Sequence, residues 1–145
     1  MTVTLTDEAR RVIALFEAET GATVRDCVVD DEFDRLLVLV KAGEMGQAIG
    51  PGGRSVQRVE ERLDREIKLV EDARTAEDFV ASALAPAAVY NVTMSEGEGE
   101  DEATIAYAEV AEEDRGVAIG TDGRNIAAAR TLAARHFDVD DVELA

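Results

Sequence analysis

The chain has 145 residues, 46% of them hydrophobic, with 4% aromatic residues and no tryptophan, so its core must be built mainly from Val, Ile, Leu and Ala. Thirty-two acidic residues outnumber fifteen basic ones and give a formal charge of −17, the wrong sign for an ordinary nucleic-acid binder. No apolar run approaches the roughly 18 residues that span a bilayer, and the N-terminal residues lack a signal-peptide layout. These features predict a cytoplasmic protein with no membrane partner.

The distribution of the acidic residues offers an explanation of the charge. They are spread along the whole chain rather than gathered in a tail, and Lys41 and Lys68 are the only lysines. At about 1 M salt the Debye length is about 3 Å, which largely screens repulsion between like charges. The pattern is typical of a salt-accumulating halophile, and we interpret the source as an archaeon. The alternative is that no nucleic acid binds.

One cysteine and one histidine limit the chemistry. Cys27 cannot form an intramolecular disulfide, which fits a reducing interior, and we expect it to be a small buried hydrophobe. His136 has no obvious group to activate. Because the sequence shows no cysteine–histidine pair, metal-ligand cluster or nucleotide-binding loop, we predict no enzymatic activity, catalytic residue, cofactor, metal or small-molecule substrate.

The first half of the chain predicts the element order α-β-β-α-α-β. Apolar residues at helical spacing predict a helix over 7–19, which Gly21 ends. The run RLLVLV predicts a strand buried on both faces. The predicted elements are the helix 7–19, strands 23–29 and 35–41, a short helix 44–49, a helix 53–63 and a strand 67–70.

The second half predicts the same order. Thr75 opens a capping-type helix start, and Pro86 ends that helix. The remaining predicted elements are strands 87–94 and 103–110, helices 112–119 and 124–135, and strand 139–144. The acidic tract 95–102, SEGEGEDE, predicts a mobile hairpin loop; a metal site is the alternative, although the tract lacks the ligand pattern of an EF-hand. We therefore expect two domains, residues 1–72 and 73–145.

A short phrase occurs twice, 70 positions apart: residues 46–56 are GQAIGPGGRSV and residues 116–126 are GVAIGTDGRNI. Such a repeat indicates one structural unit used twice. In each copy a glycine turn lies between two predicted helices, where the missing Cβ permits close approach of a ligand backbone. The following helix presents N–H groups and a partial positive charge, so the turn could bind an anion without lysine. A plain interhelical turn is the alternative.

The residues IGPGGRSV and IGTDGRNI resemble the I-G-x-x-G-x-x-I core of KH domains, and the element order resembles the type II form. This resemblance implies an α+β fold of two tandem type II KH units, each a three-stranded sheet with helices packed on one face. KH domains clamp about four single-stranded nucleotides with the GXXG loop. Two such units filling the chain resemble the archaeal NusA-like family. That implies a single-stranded RNA-binding factor of transcription elongation, termination or antitermination, with RNA polymerase as a partner.

By this resemblance, the two glycine turns would face the sugar–phosphate backbone, and branched apolar residues would form the floor of a groove for bases. Arginines would bind phosphate or stack on a base. The predicted RNA-binding residues are Ile49, Gly50, Pro51, Gly52, Gly53, Arg54, Val56, Arg58, Ile119, Gly120, Thr121, Asp122, Gly123, Arg124 and Ile126. The alternatives are plain core for the apolar residues and a solvated helix face for the arginines. Arg58, Arg62 and Arg65 could extend a basic strip that begins at Arg54, or much of this strip could pair with Glu61, Glu66 and neighbouring residues.

The two halves differ in charge. Asp122 places a carboxylate within the second turn, where it would repel a phosphate. Residues 1–72 carry 10 basic and 16 acidic side chains, a net charge of −6, whereas residues 73–145 carry 5 and 16, a net charge of −11. We expect the second unit to bind RNA more weakly or to serve as a rigid partner. A protein-interaction module on a KH scaffold, or a factor of RNA processing or the ribosome, are the alternative functions.

We predict that folding stability depends on salt. Lowering salt from 1 M to 0.1 M lengthens the Debye length from about 3 Å to about 10 Å, so carboxylate repulsion grows and the melting temperature should fall. Thermal melts across this range check the prediction. A melting temperature that does not change with salt would contradict the halophile interpretation.

Overall fold

The computed structural model describes residues 4–97 and 103–145, which fall into two compact units, one ending at Asp72 and one beginning at Ala73. The first unit contains α1 (Asp7–Thr20), β1 (Val24–Asp30), β2 (Arg35–Val40), α2 (Met45–Ile49), α3 (Arg54–Leu63) and β3 (Glu66–Glu71). The second contains α4 (Ala76–Ala83), β4 (Val89–Glu96), β5 (Thr104–Val110), α5 (Arg115–Ile119), α6 (Arg124–Phe137) and β6 (Asp141–Leu144).

The sheet of the first unit has the order β1-β2-β3, with β2 antiparallel to β1 and parallel to β3. All six residues of β2 are buried, so the central strand is covered on both faces, as its apolar run predicts. Alternate residues of β2 share one core cluster with residues of all three helices. The cluster includes Leu36, Val38 and Val40 of β2, Val12 and Phe16 of α1, Ala48 of α2 and Val59 of α3. The helices therefore pack on one face of the sheet.

A buried ion pair closes the hairpin between β1 and β2. Arg35 is only 3% exposed, and its Nε donates to Oδ2 of Asp30 at 2.8 Å. The guanidinium also lies 5.0 Å from the ring centroid of Phe33, within the range of a cation–π contact. Burial, and then the charge of Arg35, lower the pKa of Lys68 on β3. The hairpin thus holds the buried, positively charged Arg35 at the start of the central strand β2.

The second unit repeats this topology, with β4 antiparallel to β5 and β5 parallel to β6. Its central strand β5 has smaller core side chains than β2, because Ala106 and Ala108 occupy the inward positions that Leu36 and Val38 occupy in the first unit. The helices supply the larger residues. The rings of Phe79 on α4 and Phe137 on α6 lie 4.9 Å apart.

The α+β fold with two three-stranded sheets and the order α-β-β-α-α-β is confirmed. Helix α1 starts at the N-cap Thr6, whose side chain accepts from the N–H of Ala9, and ends at Gly21 in the left-handed conformation, as expected. Cys27 is buried, as expected.

The prediction of a loop over 95–102 is wrong at its start. Strand β4 continues through Glu96, because Ser95 pairs with Ile105 and Glu96 pairs with Thr104. Cross-strand hydrogen bonding therefore outweighs the low strand propensity of Ser and Glu. Residues 98–102 of the predicted loop lie outside the described residues.

Within residues 4–97 and 103–145, every helix is too short or too polar to cross a lipid bilayer. In the same described part of the chain, no three His, Cys, Asp or Glu side chains converge in a way that could hold a metal ion.

Candidate nucleic-acid interface

The two glycine turns have the same backbone conformation. Gly50 and Gly120 have φ, ψ of 76°, 170° and 80°, 170°. The third turn residues, Gly52 and Asp122, have 63°, 21° and 56°, 22°, both left-handed. The repeated sequence therefore encodes a repeated geometry, and an aspartate adopts the conformation that a glycine adopts in the other copy.

The first glycine of each turn is required by packing. A Cβ at Gly50 would lie 2.9 Å from the backbone nitrogen of Ser55, and one at Gly120 would lie 2.8 Å from the Cβ and nitrogen of Asn125. Such separations are too short for any side chain. The turn is thus pressed against the first turn of the helix that follows it.

The last glycine of each turn faces open space. A Cβ at Gly53 would have Gln57 Nε2 as its nearest atom, 4.0 Å away, and one at Gly123 would meet no atom within 4 Å. Space at this position is what a nucleic-acid backbone would occupy on close approach. Packing does not forbid a side chain here, although the positive φ disfavours one.

Hydrogen bonds within each turn use some of its N–H groups. The N–H of Gly53 donates to the carbonyl of Gly50 at 3.0 Å, and the N–H of Gly123 donates to that of Gly120 at 3.1 Å. The N–H groups of Arg54 and Arg124 donate to the carbonyls of Pro51 and Thr121. The sequence predicts unpaired N–H groups at the start of α3 and α6. In each copy, two of the N–H groups nearest the turn already donate hydrogen bonds within it, so fewer remain for a ligand.

The predicted apolar residues divide into two kinds. Ile49 and Ile119, at the ends of α2 and α5, are 39% and 40% exposed. Val56 is half-buried and packs against the core of the first unit, while Ile126 is only 4% exposed. The isoleucine before each turn is therefore available to a ligand, whereas the branched residue after it belongs mainly to the core.

The predicted arginine strip is shorter than its sequence spacing indicates. Arg62 forms an ion pair with Glu19 on α1, and Arg65 lies 3.4 Å from Glu8 on the same helix. Arg65 also lies 3.9 Å from Asp34, so the partners of these two arginines lie on α1 and in the hairpin between β1 and β2. Arg54 and Arg58 are exposed and have no ion-pair partner among the described residues, and Arg124 is half-buried.

Neighbouring elements anchor both turns. Asn125, which is buried, donates through Nδ2 to the carbonyl of Ala118 at 3.1 Å and to that of Leu84 at 3.2 Å, so it ties the second turn to α5 and to the end of α4. In the first unit, Oε1 of Glu44, just before α2, accepts from the N–H of Thr23 at 2.6 Å. That backbone hydrogen bond is the main cause that lowers the pKa of Glu44.

A groove of about 310 Å³ lies beside the second turn. Its lining brings together three of the predicted residues, Ile119, Gly123 and Ile126. It also includes residues that the sequence reasoning missed, on α5, α6 and β6: Arg115, Arg130, Glu143 and Leu144. The repeated phrase ends before β6, so no motif pointed to the opposite wall of the groove.

Comparisons with known proteins agree with this architecture. A family model of the KH domain matches residues 10–90, and a model described as the NusA-like second KH domain matches residues 76–145. The chain is 61% identical to the probable transcription termination protein NusA of Halobacterium salinarum over 99% of both chains, and 60% identical to that of Halococcus morrhuae over all of both. Both sources are halophiles. The crystal structure of APE1850 superposes with a TM-score of 0.85 at 34% identity, over 97% of this chain and all of that one.

We predict that Gly120→Ala destabilises the second unit by about 1–3 kcal/mol, because the added methyl group collides with Asn125 and φ is positive. Gly116→Ala is the matched control: it lies in α5 with no atom within 4 Å of the added Cβ, and it should be neutral or slightly stabilising. Urea unfolding in molar potassium chloride, followed by circular dichroism, measures both. Equal stabilities of the two variants would contradict the packing argument.

Proposed function

Because this chain belongs to the NusA-like family of KH-domain transcription termination proteins, we propose that it binds single-stranded RNA through the glycine turns of both units and acts in transcription elongation, termination or antitermination. RNA polymerase is the large partner in this proposal, and the cytoplasm is its place of action. The role is non-catalytic, which the naming of the relatives as termination proteins supports.

The observation that carries the proposal is the combination found at both turns. Each turn ends in a glycine that faces open space, and each follows an exposed isoleucine. An exposed aliphatic side chain beside an open backbone suits a ligand with a polar backbone and flat apolar rings. Single-stranded RNA has both, since its unstacked bases can leave the strand.

We propose that the first unit binds the phosphate backbone more strongly. Gly52 presents no charge in its turn, and the exposed Arg54 and Arg58 follow it on α3. In the second unit Asp122 is exposed at the equivalent position. A carboxylate there opposes a phosphate, so the second unit relies on other contacts.

Two alternative functions remain distinct. A protein-interaction module on a KH scaffold would not bind RNA at any salt concentration. A factor of RNA processing or of the ribosome would bind RNA through the same residues but would not affect transcription. Binding of single-stranded RNA to the full chain in molar potassium chloride would exclude the protein-interaction module. An effect on in vitro transcription with the cognate polymerase would distinguish the proposed function from RNA processing or a ribosomal role.

We predict that Gly52→Asp weakens RNA binding about fivefold at low ionic strength and less in molar salt, since two unit charges about 4 Å apart in water repel by about 1 kcal/mol and salt screens that repulsion. The left-handed conformation of Asp122 indicates that an aspartate fits at this turn position. The matched control is Gly52→Asn, which introduces the same backbone strain without the charge. Isothermal titration with a single-stranded RNA measures both variants.

The reciprocal change should act in the opposite direction: Asp122→Asn should strengthen binding at the second turn, because it removes the repulsion and keeps a side chain that tolerates the left-handed conformation. Equal affinities of Gly52→Asp and Gly52→Asn would show that no phosphate lies at the first turn.

We also predict a shallow dependence of RNA affinity on salt. Arg54, Arg58 and Arg124 follow the turns on α3 and α6 and are the cations assigned to phosphate in this proposal, enough for about two or three phosphates, and each phosphate contributes a slope of about −0.7 for single strands. The logarithm of the association constant should therefore fall with the logarithm of salt at about −1.4 to −2.1. Titrations between about 0.5 and 2 M potassium chloride measure the slope, with circular dichroism as the control for folding. A slope near −4, equivalent to about six phosphates, would contradict this mechanism.

A further inference from the structure

The groove of the second unit contains two arginines that the first unit lacks. At the 70-residue spacing of the repeat, Arg115 corresponds to Met45 and Arg130 corresponds to Glu60. Both arginines line the groove beside Ile119 and Gly123. Glu143 lines the same groove, so its wall carries two arginines and one carboxylate, whereas the turn beside it carries Asp122.

Arg130 holds the position that Glu60 holds in the first unit, and its charge is the opposite of that of Glu60. Its Nε donates to the carbonyl of Val142 at 3.1 Å and lies 2.8 Å from Oδ1 of Asp141. In the first unit, Oε2 of Glu60 accepts from the N–H of Ile67 at 2.9 Å. Ile67 and Val142 hold equivalent register positions. Each bond ties the helix after the turn to the edge strand, but only Arg130 leaves a cation there.

Both guanidinium groups are held in place by the end of the second unit. Nη1 of Arg115 donates to the carbonyl of Ala145 at 2.8 Å, and Arg130 is held through its Nε. A guanidinium has five N–H donors in one plane, so these bonds orient it and use few of its donors. The side chain of Arg130 is 45% exposed, and within the described part of the chain its terminal nitrogens remain for a ligand.

The position of the arginines relative to the turn suits a base rather than a phosphate. The open Gly123 lines the same groove as Ile119 and the two arginines, so a base attached to a phosphate at Gly123 would enter that groove. Guanine offers two adjacent acceptors, O6 and N7, which an arginine fork pairs with bidentately. Adenine places an amino donor next to N7, and the pyrimidines lack this pair of acceptors.

We propose that Arg115 and Arg130 make the second groove a guanine-selective nucleotide site. The inference rests on the proposed binding of RNA at the glycine turns and adds the base preference of one of them. Its selectivity depends on direct hydrogen bonds in a shaped groove. Such contacts involve little counterion release, so the site is compatible with molar salt and with a unit of net charge −11.

The test compares the tetranucleotides AAGA and AAAA, titrated into the full chain in 1 M potassium chloride. Amide shifts of Gly123 and Ile126 report the second unit, and those of Gly53 and Val56 report the first. We expect AAGA to bind the second unit about tenfold more tightly than AAAA, the scale of a bidentate arginine–guanine contact. Arg130→Gln should bring this ratio to one or below, because its amide can still donate to Val142 but lacks the fork and suits the edge of adenine instead.

Arg124→Lys is the control: it should weaken both tetranucleotides alike, because Arg124 follows the turn and faces the phosphate in the proposal. Equal binding of AAGA and AAAA by the unmodified chain, or a ratio that survives Arg130→Gln, would overturn the guanine site and leave RNA binding by the turns intact. If neither tetranucleotide shifts the amides of either turn, the proposed function itself is overturned.

Discussion

The contact between a glycine and the first turn of the next helix determines the geometry of both units. At Gly50 and Gly120 no side chain fits, so α2 and α5 end directly against the helices that follow. That contact brings the exposed isoleucine, the open last glycine and the following arginine together on one surface. The proposed RNA contacts at both turns therefore depend on the absence of a Cβ atom at these two glycines.

The acidic surface explains why the interface depends on shape. Ion pairs on exposed arginines weaken in molar salt, and two of the four arginines near the first turn are already paired with α1. Backbone approach at a glycine and packing of a base on an isoleucine depend far less on ionic strength. In the proposed function, the net charge of −17 thus limits how RNA is bound without preventing its binding.

Much of the fold could be predicted from the sequence, because apolar periodicity and a repeated motif are local signals. The apolar run of β2 and the capping residues Thr6 and Thr75 behave as expected. The extension of β4 to Glu96 could not be predicted, since it depends on pairing with Thr104. The arginines of the second groove were missed for a related reason: only the register of β6 against β5 shows which helix residues lie beside that strand.

The fully buried strand β2 has a consequence for how the protein is made. Its five consecutive apolar residues after Arg35 form a segment that favours intermolecular β-pairing while the chain is unfolded. Its parallel neighbour β3 is synthesised later, so one edge of β2 has no hydrogen-bonding partner until β3 has been made. Salt that screens the carboxylates also removes the repulsion that keeps unfolded acidic chains apart. Arg35 and Lys41, which flank the segment, are then its nearest protection against aggregation, and the yield of refolding depends on how quickly the hairpin with β1 forms.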